Sequence, residues 1–144
     1  MTKDVLAQYC DLREEVKDIR KRIERLQGEL DRIESERYVT DSVTGGMGGT
    51  QHYIIKGFPY PEYSRKKTKL YLNKAQYETA EPELLDLTIK VEEYIQSIID
   101  SRIRRILRYR YLDDMTWHEV ALRIGGKNTT ADSVRMEHNR FLGL

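Results

Sequence analysis

The stretch TWHEVALRIGGKNTTADSVR, residues 116–135, holds two short amphipathic patterns joined by a polar turn with a glycine pair. Thr116 and Glu119 have the Thr-x-x-Glu spacing of a capping box. Trp117, Val120, Ala121 and Ile124 follow as one apolar face of a short helix. Gly125 and Gly126 stand where a helix C-terminus favours glycine. Thr129 or Thr130 offers a second N-cap, after which Ala131, Val134, His138 and Phe141 recur at steps of three and four. That spacing predicts a buried stripe, with Asp132, Ser133, Arg135, Met136, Asn139 and Arg140 on the other faces. Ala121 is small where two such helices would touch. Together these features predict a helix-turn-helix over 116–142.

Upstream, Glu81-Pro82-Glu83 predicts a helix start, with proline in the first turn and acids at the positive end of the dipole. Leu84, Leu87, Val91, Tyr94, Ile95 and Ile98 continue at helical spacing, and Ile103, Ile106, Leu107 and Tyr111 carry the pattern to Asp113-Asp114. One helix, or two end to end, satisfies it. This arginine-rich segment supplies a third packing partner for the pair that follows.

At the other end of the chain, Val5, Tyr9, Leu12, Val16, Ile19, Ile23, Leu26, Leu30 and Ile33 alternate steps of four and three. This is a heptad a/d pattern, and it predicts a long helix that pairs with another. Such a helix spans roughly 50 Å at about 1.5 Å per residue. The partner is either a second copy or another helix of the same chain. In a parallel homodimer Glu29 would face Glu34, which is repulsive, whereas Glu15 would face Arg20, which is attractive.

Residues 39–64, VTDSVTGGMGGTQHYIIKGFPYPEYS, interrupt the helical pattern with glycines and with Pro59 and Pro61. QHYIIKG (51–57) has the composition of a short strand, and KTKLYLN (67–73) alternates with Leu70 and Leu72 on one side. The middle is therefore expected to be a flexible linker or a β-hairpin. GGMGG lacks the Gly-Lys-Ser/Thr end of a phosphate loop. Arg65, Lys66, Lys67 and Lys69 form a basic cluster, read as a solvated charge run before a phosphate contact.

Composition sets the outer bounds. Charged residues are 34% of the chain and apolar ones 39%, which suits a helical protein with a modest core. No apolar run is long enough for a membrane span, and the acidic N-terminus is unlike an export signal. Cys10 is the single cysteine, which excludes an internal disulfide and suits a reducing cytoplasm. Net charge is only +1, but residues 102–144 hold nine Lys/Arg against five Asp/Glu. Positive charge is thus concentrated where a polyanion would be met.

The segments RRILRYRYLDDMTWHEVALRIG and SVRMEHNRFL resemble region 4 of bacterial sigma factors. The shared features are an Arg-Tyr-Leu run, an acidic turn, a Glu-Val-Ala-x-x-Ile-Gly helix and a Ser-Val-Arg helix. The turn GGKNTTAD is longer than in the sigma pattern. The wider layout resembles phage transcriptional regulators of the RinA/ArpU-like group. This resemblance implies binding to double-stranded DNA, control of late or packaging genes of a phage or prophage, contact with RNA polymerase, and a location in the cytoplasm of the bacterial host.

In a helix-turn-helix the second helix enters the major groove. Ser133, Arg135, Met136, Asn139 and Arg140 are then the candidates for base contacts. Lys127, Thr129, Thr130 and the N–H groups at the helix start are candidates for a phosphate. Arg104 and Arg108 on the preceding helix are candidates for the DNA backbone. Trp117 and His138 are expected in the core. His52, His118 and His138 lack zinc spacing, and Ser133 has no evident base partner. No catalytic residue, metal or cofactor is expected.

The expected architecture is mainly α. Residues 1–38 form a long helix or coiled coil, 39–80 a flexible or hairpin middle, and 81–144 a helical DNA-binding domain. The leading expectation is a sequence-specific DNA-binding transcriptional regulator that oligomerises through the heptad helix. A small terminase subunit for DNA packaging and a coiled-coil adapter that does not bind DNA are the alternatives.

Overall fold

The computed structural model describes residues 2–44 and 59–144, with side chains over 3–36 and 59–144. The regular structure of the described residues is all helical: α1 (Thr2–Thr44), α2 (Tyr60–Ser97), α3 (Ser101–Leu107), a π-helical turn (Arg108–Leu112), α4 (Trp117–Ile124) and α5 (Ala131–Leu142). None of these helices is long and apolar enough to cross a membrane. The chain divides into two compact units, Glu15–Ala80 and the combination of Met1–Glu14 with Glu81–Leu144.

In the unit Glu15–Ala80 the heptad pattern is satisfied by the same chain. Leu26 and Leu30 are buried with Leu70, flanked by Ile23 and Tyr63. Tyr63 donates a hydrogen bond to Glu34, Lys66 Nζ lies 3.1 Å from Glu29, and Arg20 Nη2 donates to Tyr77 Oη at 3.0 Å. Rising numbers on α2 thus meet falling numbers on α1, so the two helices run antiparallel here. Glu29 and Glu34, which would repel across a homodimer, each meet a partner on α2. Lys66 also pairs with Glu62 at 3.1 Å, and its ammonium holds the Glu29 carboxyl below the ordinary carboxylate value. Val16, Ile19, Leu26, Leu30 and Ile33 of this seam are buried within the single chain.

The middle of the chain is corrected in the same unit. KTKLYLN belongs to α2 and is no strand. Leu70 and Leu72 would share one side of a strand, but helical geometry sets them about 200° apart. Leu70 is accordingly buried while Leu72 is 61% exposed. QHYIIKG and His52 lie outside the described residues. Pro82 does not begin a helix either; it sits inside α2, where its missing N–H leaves the Glu78 carbonyl without its usual partner.

The other unit is built on two adjoining apolar clusters. Leu6 and Tyr9 of α1 pack with Val91, Ile95 and Ile98, and with Leu107 and Tyr111. Leu6 lies off the heptad pattern, yet it is more deeply buried than Val5. The second cluster joins Ile106 of α3, Val120 and Ala121 of α4 and Val134 of α5. The long pattern from Leu84 to Tyr111 resolves into two helices. The Asp100 carboxylate accepts from the N–H groups of Arg102 and Ile103, which starts α3 afresh.

After α3 the chain widens by one residue into the π-helical turn, closed by Asp113 N–H on the Arg108 carbonyl at 3.1 Å. Arg13 of α1 clamps this turn. Its guanidinium donates to the Tyr111 carbonyl and lies 2.9 Å from the Asp114 carboxylate. Asp114 has φ +54, a left-handed conformation that aspartate tolerates better than most residues.

Candidate nucleic-acid interface

The candidate surface is carried by α4, α5 and the six-residue connection 125–130, all within the unit that contains Glu81–Leu144. The Thr116 side chain accepts from the Glu119 N–H at 3.2 Å and starts α4. The full reciprocal capping box forms at α5 instead. Thr130 Oγ1 accepts from Ser133 N–H at 3.1 Å, and Ser133 Oγ accepts from Thr130 N–H at 2.9 Å.

Gly125 ends α4 with φ +75, and Gly126 follows with φ +109, a pair of conformations that favours glycine. Thr129 Oγ1 donates back to the Gly125 carbonyl at 2.7 Å and closes the connection. A Cβ on Gly126 would lie 2.9 Å from that same Thr129 oxygen. Backbone geometry thus favours glycine at both positions, and crowding adds to it at Gly126.

On α5 the buried stripe is Val134 and His138. Ala131 is half-buried, and Phe141, expected on the stripe, is 42% exposed. The stripe drifts because three steps of three or four do not return to the same angle. Leu142 packs on the first cluster instead. His138 is a core residue with both ring nitrogens satisfied: Nε2 lies 2.6 Å from Tyr111 Oη and Nδ1 2.9 Å from Asn139 Oδ1. Trp117 meets its ring edge-on, with centroids 4.8 Å apart. Burial holds the imidazole below its ordinary value, and Arg110 acts in the same direction. Burial likewise pushes the Tyr111 phenol up to about 12.

The outward face of α5 keeps Asp132, Arg135, Met136 and Arg140 exposed. Arg135 Nη2 lies 3.3 Å from the Asp132 carboxylate one turn earlier. Met136 is 55% exposed. Lys127 is exposed in the connection. The N–H groups of Ala131 and Asp132 have no hydrogen-bond partner among the described residues, as expected for a helix start. Asn139 is half-buried because its side chain leans on His138.

Several residues assigned to DNA by sequence also make contacts within the chain. Ser133 uses its hydroxyl in the capping box, also donating to the Thr130 carbonyl at 2.9 Å. The single hydroxyl proton of Thr129 goes to Gly125, whereas that of Thr130 is left over, because Thr130 Oγ1 only accepts. Arg104 donates to the Ile98 carbonyl at 3.1 Å and closes the C-terminal end of α2. Arg108 donates to Gln96 Oε1 at 3.3 Å.

The neighbouring arginines behave alike. Arg102 makes two hydrogen bonds to Glu137, Arg105 donates to the Arg123 carbonyl at 3.2 Å, and Arg110 donates to the Met115 carbonyl at 2.9 Å. Arg110 also lies over the Trp117 ring, 4.5 Å from its centroid. Much of the positive charge that pointed to a polyanion therefore staples helix ends together. The sequence signal for this role is the arginines interleaved with Tyr109, Tyr111 and Trp117, because a guanidinium stacks on such rings.

Among the described residues no group of three His, Cys, Asp or Glu side chains converges as a metal-ligand set. Comparison with protein-family models, curated proteins and solved structures returned no match.

Proposed function

We propose that α4, the connection 125–130 and α5 form a helix-turn-helix that binds double-stranded DNA, and that the protein is a sequence-specific transcriptional regulator. One observation carries this reading. Val134 and His138 fix α5 to the core by one face, while its opposite face presents Arg135, Met136 and Arg140 beside Lys127 and open backbone N–H groups. A helix held in this way can enter a major groove with its N-terminal end near a phosphate. Arg135 and Arg140 are suited to guanine edges and Met136 to a thymine methyl. Lys127, the Thr130 hydroxyl and the first N–H groups of α5 suit the backbone.

The sigma-like pattern of residues 104–142 supports a role in transcription, and the layout of the chain supports phage or prophage genes as the target. The terminase reading drew on an oligomerising coil, and burial of the heptad seam within the chain favours the regulator reading over it. The binding unit in this proposal is therefore one copy on one site, and any pairing would use another surface. No catalytic chemistry is assigned.

Fluorescence anisotropy tests the proposal, with the full chain on the DNA upstream of its own gene and on a random duplex, across a salt series. The expected result is tighter binding to the upstream DNA, with affinity falling steeply as salt rises because phosphate contacts release counterions. Equal affinity for both duplexes at moderate salt overturns it.

A further inference from the structure

We propose that Tyr111 and His138 are positioning residues for base recognition, forming a buried relay that fixes which way the Asn139 carboxamide faces. The inference rests on the DNA-binding reading above and concerns one position within it.

The relay follows from hydrogen-bond bookkeeping. A carbonyl oxygen only accepts. His138 Nδ1 faces Asn139 Oδ1 at 2.9 Å, so Nδ1 carries the proton. Burial keeps the ring neutral, which leaves Nε2 as an acceptor. The Tyr111 phenol, 2.6 Å away, therefore donates to it. Burial also keeps that phenol protonated. The three states are thus linked: the phenol is a stronger donor than acceptor and favours an accepting Nε2, and the proton then left on Nδ1 favours the amide oxygen facing it.

The consequence falls on α5. Asn139 lies two helical turns beyond Asp132 and one turn beyond Arg135, in line with both on the outward face. A free carboxamide can turn over and exchange its donor and acceptor ends. Asn139 cannot do so without facing its amide hydrogens against the Nδ1–H. Oδ1 retains a second lone pair and Nδ2 both of its hydrogens. The fixed amide therefore offers one order of acceptor and donor. That order suits adenine, which presents an N6 donor beside an N7 acceptor in the major groove. The π-helical turn matters here because Tyr111 belongs to it and is buried beside the ring.

Two measurements on the full chain test this together. The first is selection from random double-stranded DNA by the unaltered protein, Tyr111→Phe and Asn139→Ala, with each preference taken relative to that protein's own random-duplex affinity. The second is nitrogen NMR of the His138 ring in the free protein. We expect the Nδ1–H tautomer and a preference for adenine at one position. Asn139→Ala and Tyr111→Phe should both reduce that preference, by roughly tenfold. Loss of the phenol brings the two tautomers to similar energy, which releases the amide.

An Nε2–H tautomer overturns the relay whatever the DNA result. A position relaxed by Asn139→Ala but untouched by Tyr111→Phe also overturns it, and leaves DNA reading in place. If the unaltered protein selects no sequence, the DNA reading falls and this inference with it. Should Tyr111→Phe fail to fold, the tautomer of the unaltered protein and the preference of His138→Asn decide. Asparagine can return an N–H donor near the Nδ1 position, so adenine preference should survive in that variant; its loss overturns the relay.

Discussion

Arg102 on α3 holds Glu137 on α5 through two hydrogen bonds, Nε at 2.9 Å and Nη2 at 3.1 Å. The fork ties α5 to the arginine-rich α3 one turn beyond Val134, which packs on Ile106 of the same α3. Both side chains keep contact with solvent, so screening limits the energy involved. Double-mutant analysis with Arg102→Ala and Glu137→Ala in urea should give a coupling of about 0.2–1 kcal/mol. A coupling of several kcal/mol would show that the pair is far better shielded than its exposure indicates.

Gly126 is the position in the connection least tolerant of a side chain. Its φ is +109, and an added Cβ would meet Thr129 Oγ1 at 2.9 Å. Gly126→Ala should therefore cost more than about 1 kcal/mol, from backbone strain and from the displaced Thr129–Gly125 hydrogen bond. Thr129→Ser keeps that bond and should cost less. Thermal melts of both variants compare them directly, and a Gly126→Ala protein as stable as the parent would contradict the crowding.

The second helix touches the first at Ala121. Its side chain is 6% exposed and packs among Ile106, Val120 and Val134. Ala121→Leu should destabilise by about 1–3 kcal/mol through overpacking, and Val134→Ala by a similar amount through the cavity it leaves. Urea unfolding midpoints give both values. An Ala121→Leu variant of unchanged stability would mean that the two helices are farther apart than this packing requires.

Much of this packing was legible in the sequence, because burial follows the helical period. Val120, Ala121, Val134 and His138 all announced themselves by steps of three or four. Segments with two competing periods were not legible. Leu70 and Leu72 fit a strand by alternation, and only the helical partner across from Leu70 decides otherwise. The heptad pattern specified a paired helix but not its partner, since Glu29 and Glu34 answer that question only once Lys66 and Tyr63 face them. In the candidate site it was the contacts within the chain that were hidden, for a different reason. A sequence shows that Arg104, Arg108 and Ser133 carry polar groups. It does not show that Ile98, Gln96 and Thr130 already engage some of them.

Stability should depend on pH through His138. Burial, with Arg110 adding to it, holds this imidazole below its ordinary value of 6.5, against the opposing bond to Asn139. As pH falls through 6.5 the unfolded chain takes up a proton that the folded chain still refuses. The unfolded state then binds more protons, so stability falls with pH across that interval and is fully present above it. The urea midpoint should drop between about pH 7.5 and about pH 5.5, and the drop should be shallower in His138→Phe. A parallel slope in both proteins would assign the pH dependence to other groups.

The contacts of α5 should separate by kind. Lys127→Ala removes a positive charge from the connection, so affinity should fall for upstream and random DNA alike and the salt slope should become shallower by about one counterion. Arg135→Ala should instead narrow the gap between the two duplexes, since a base contact worth roughly 1–3 kcal/mol disappears. Identical behaviour of the two variants would undo the distinction between backbone and base contacts.

Asp132 supplies the sharpest of these tests. Its carboxylate lies in the first turn of α5, beside the open N–H groups, and holds Arg135 at 3.3 Å. In the free protein it stabilises the helix start through the dipole. Against a phosphate the same carboxylate is repulsive, and it competes for Arg135. Asp132→Asn should therefore raise DNA affinity, by roughly threefold at low salt and by less as screening grows. The small loss of helix stabilisation should cost no more than about 1 kcal/mol in a thermal melt. Binding weakened by Asp132→Asn in a protein that melts normally would mean that DNA does not approach this end of α5, and the reader face would have to be sought elsewhere.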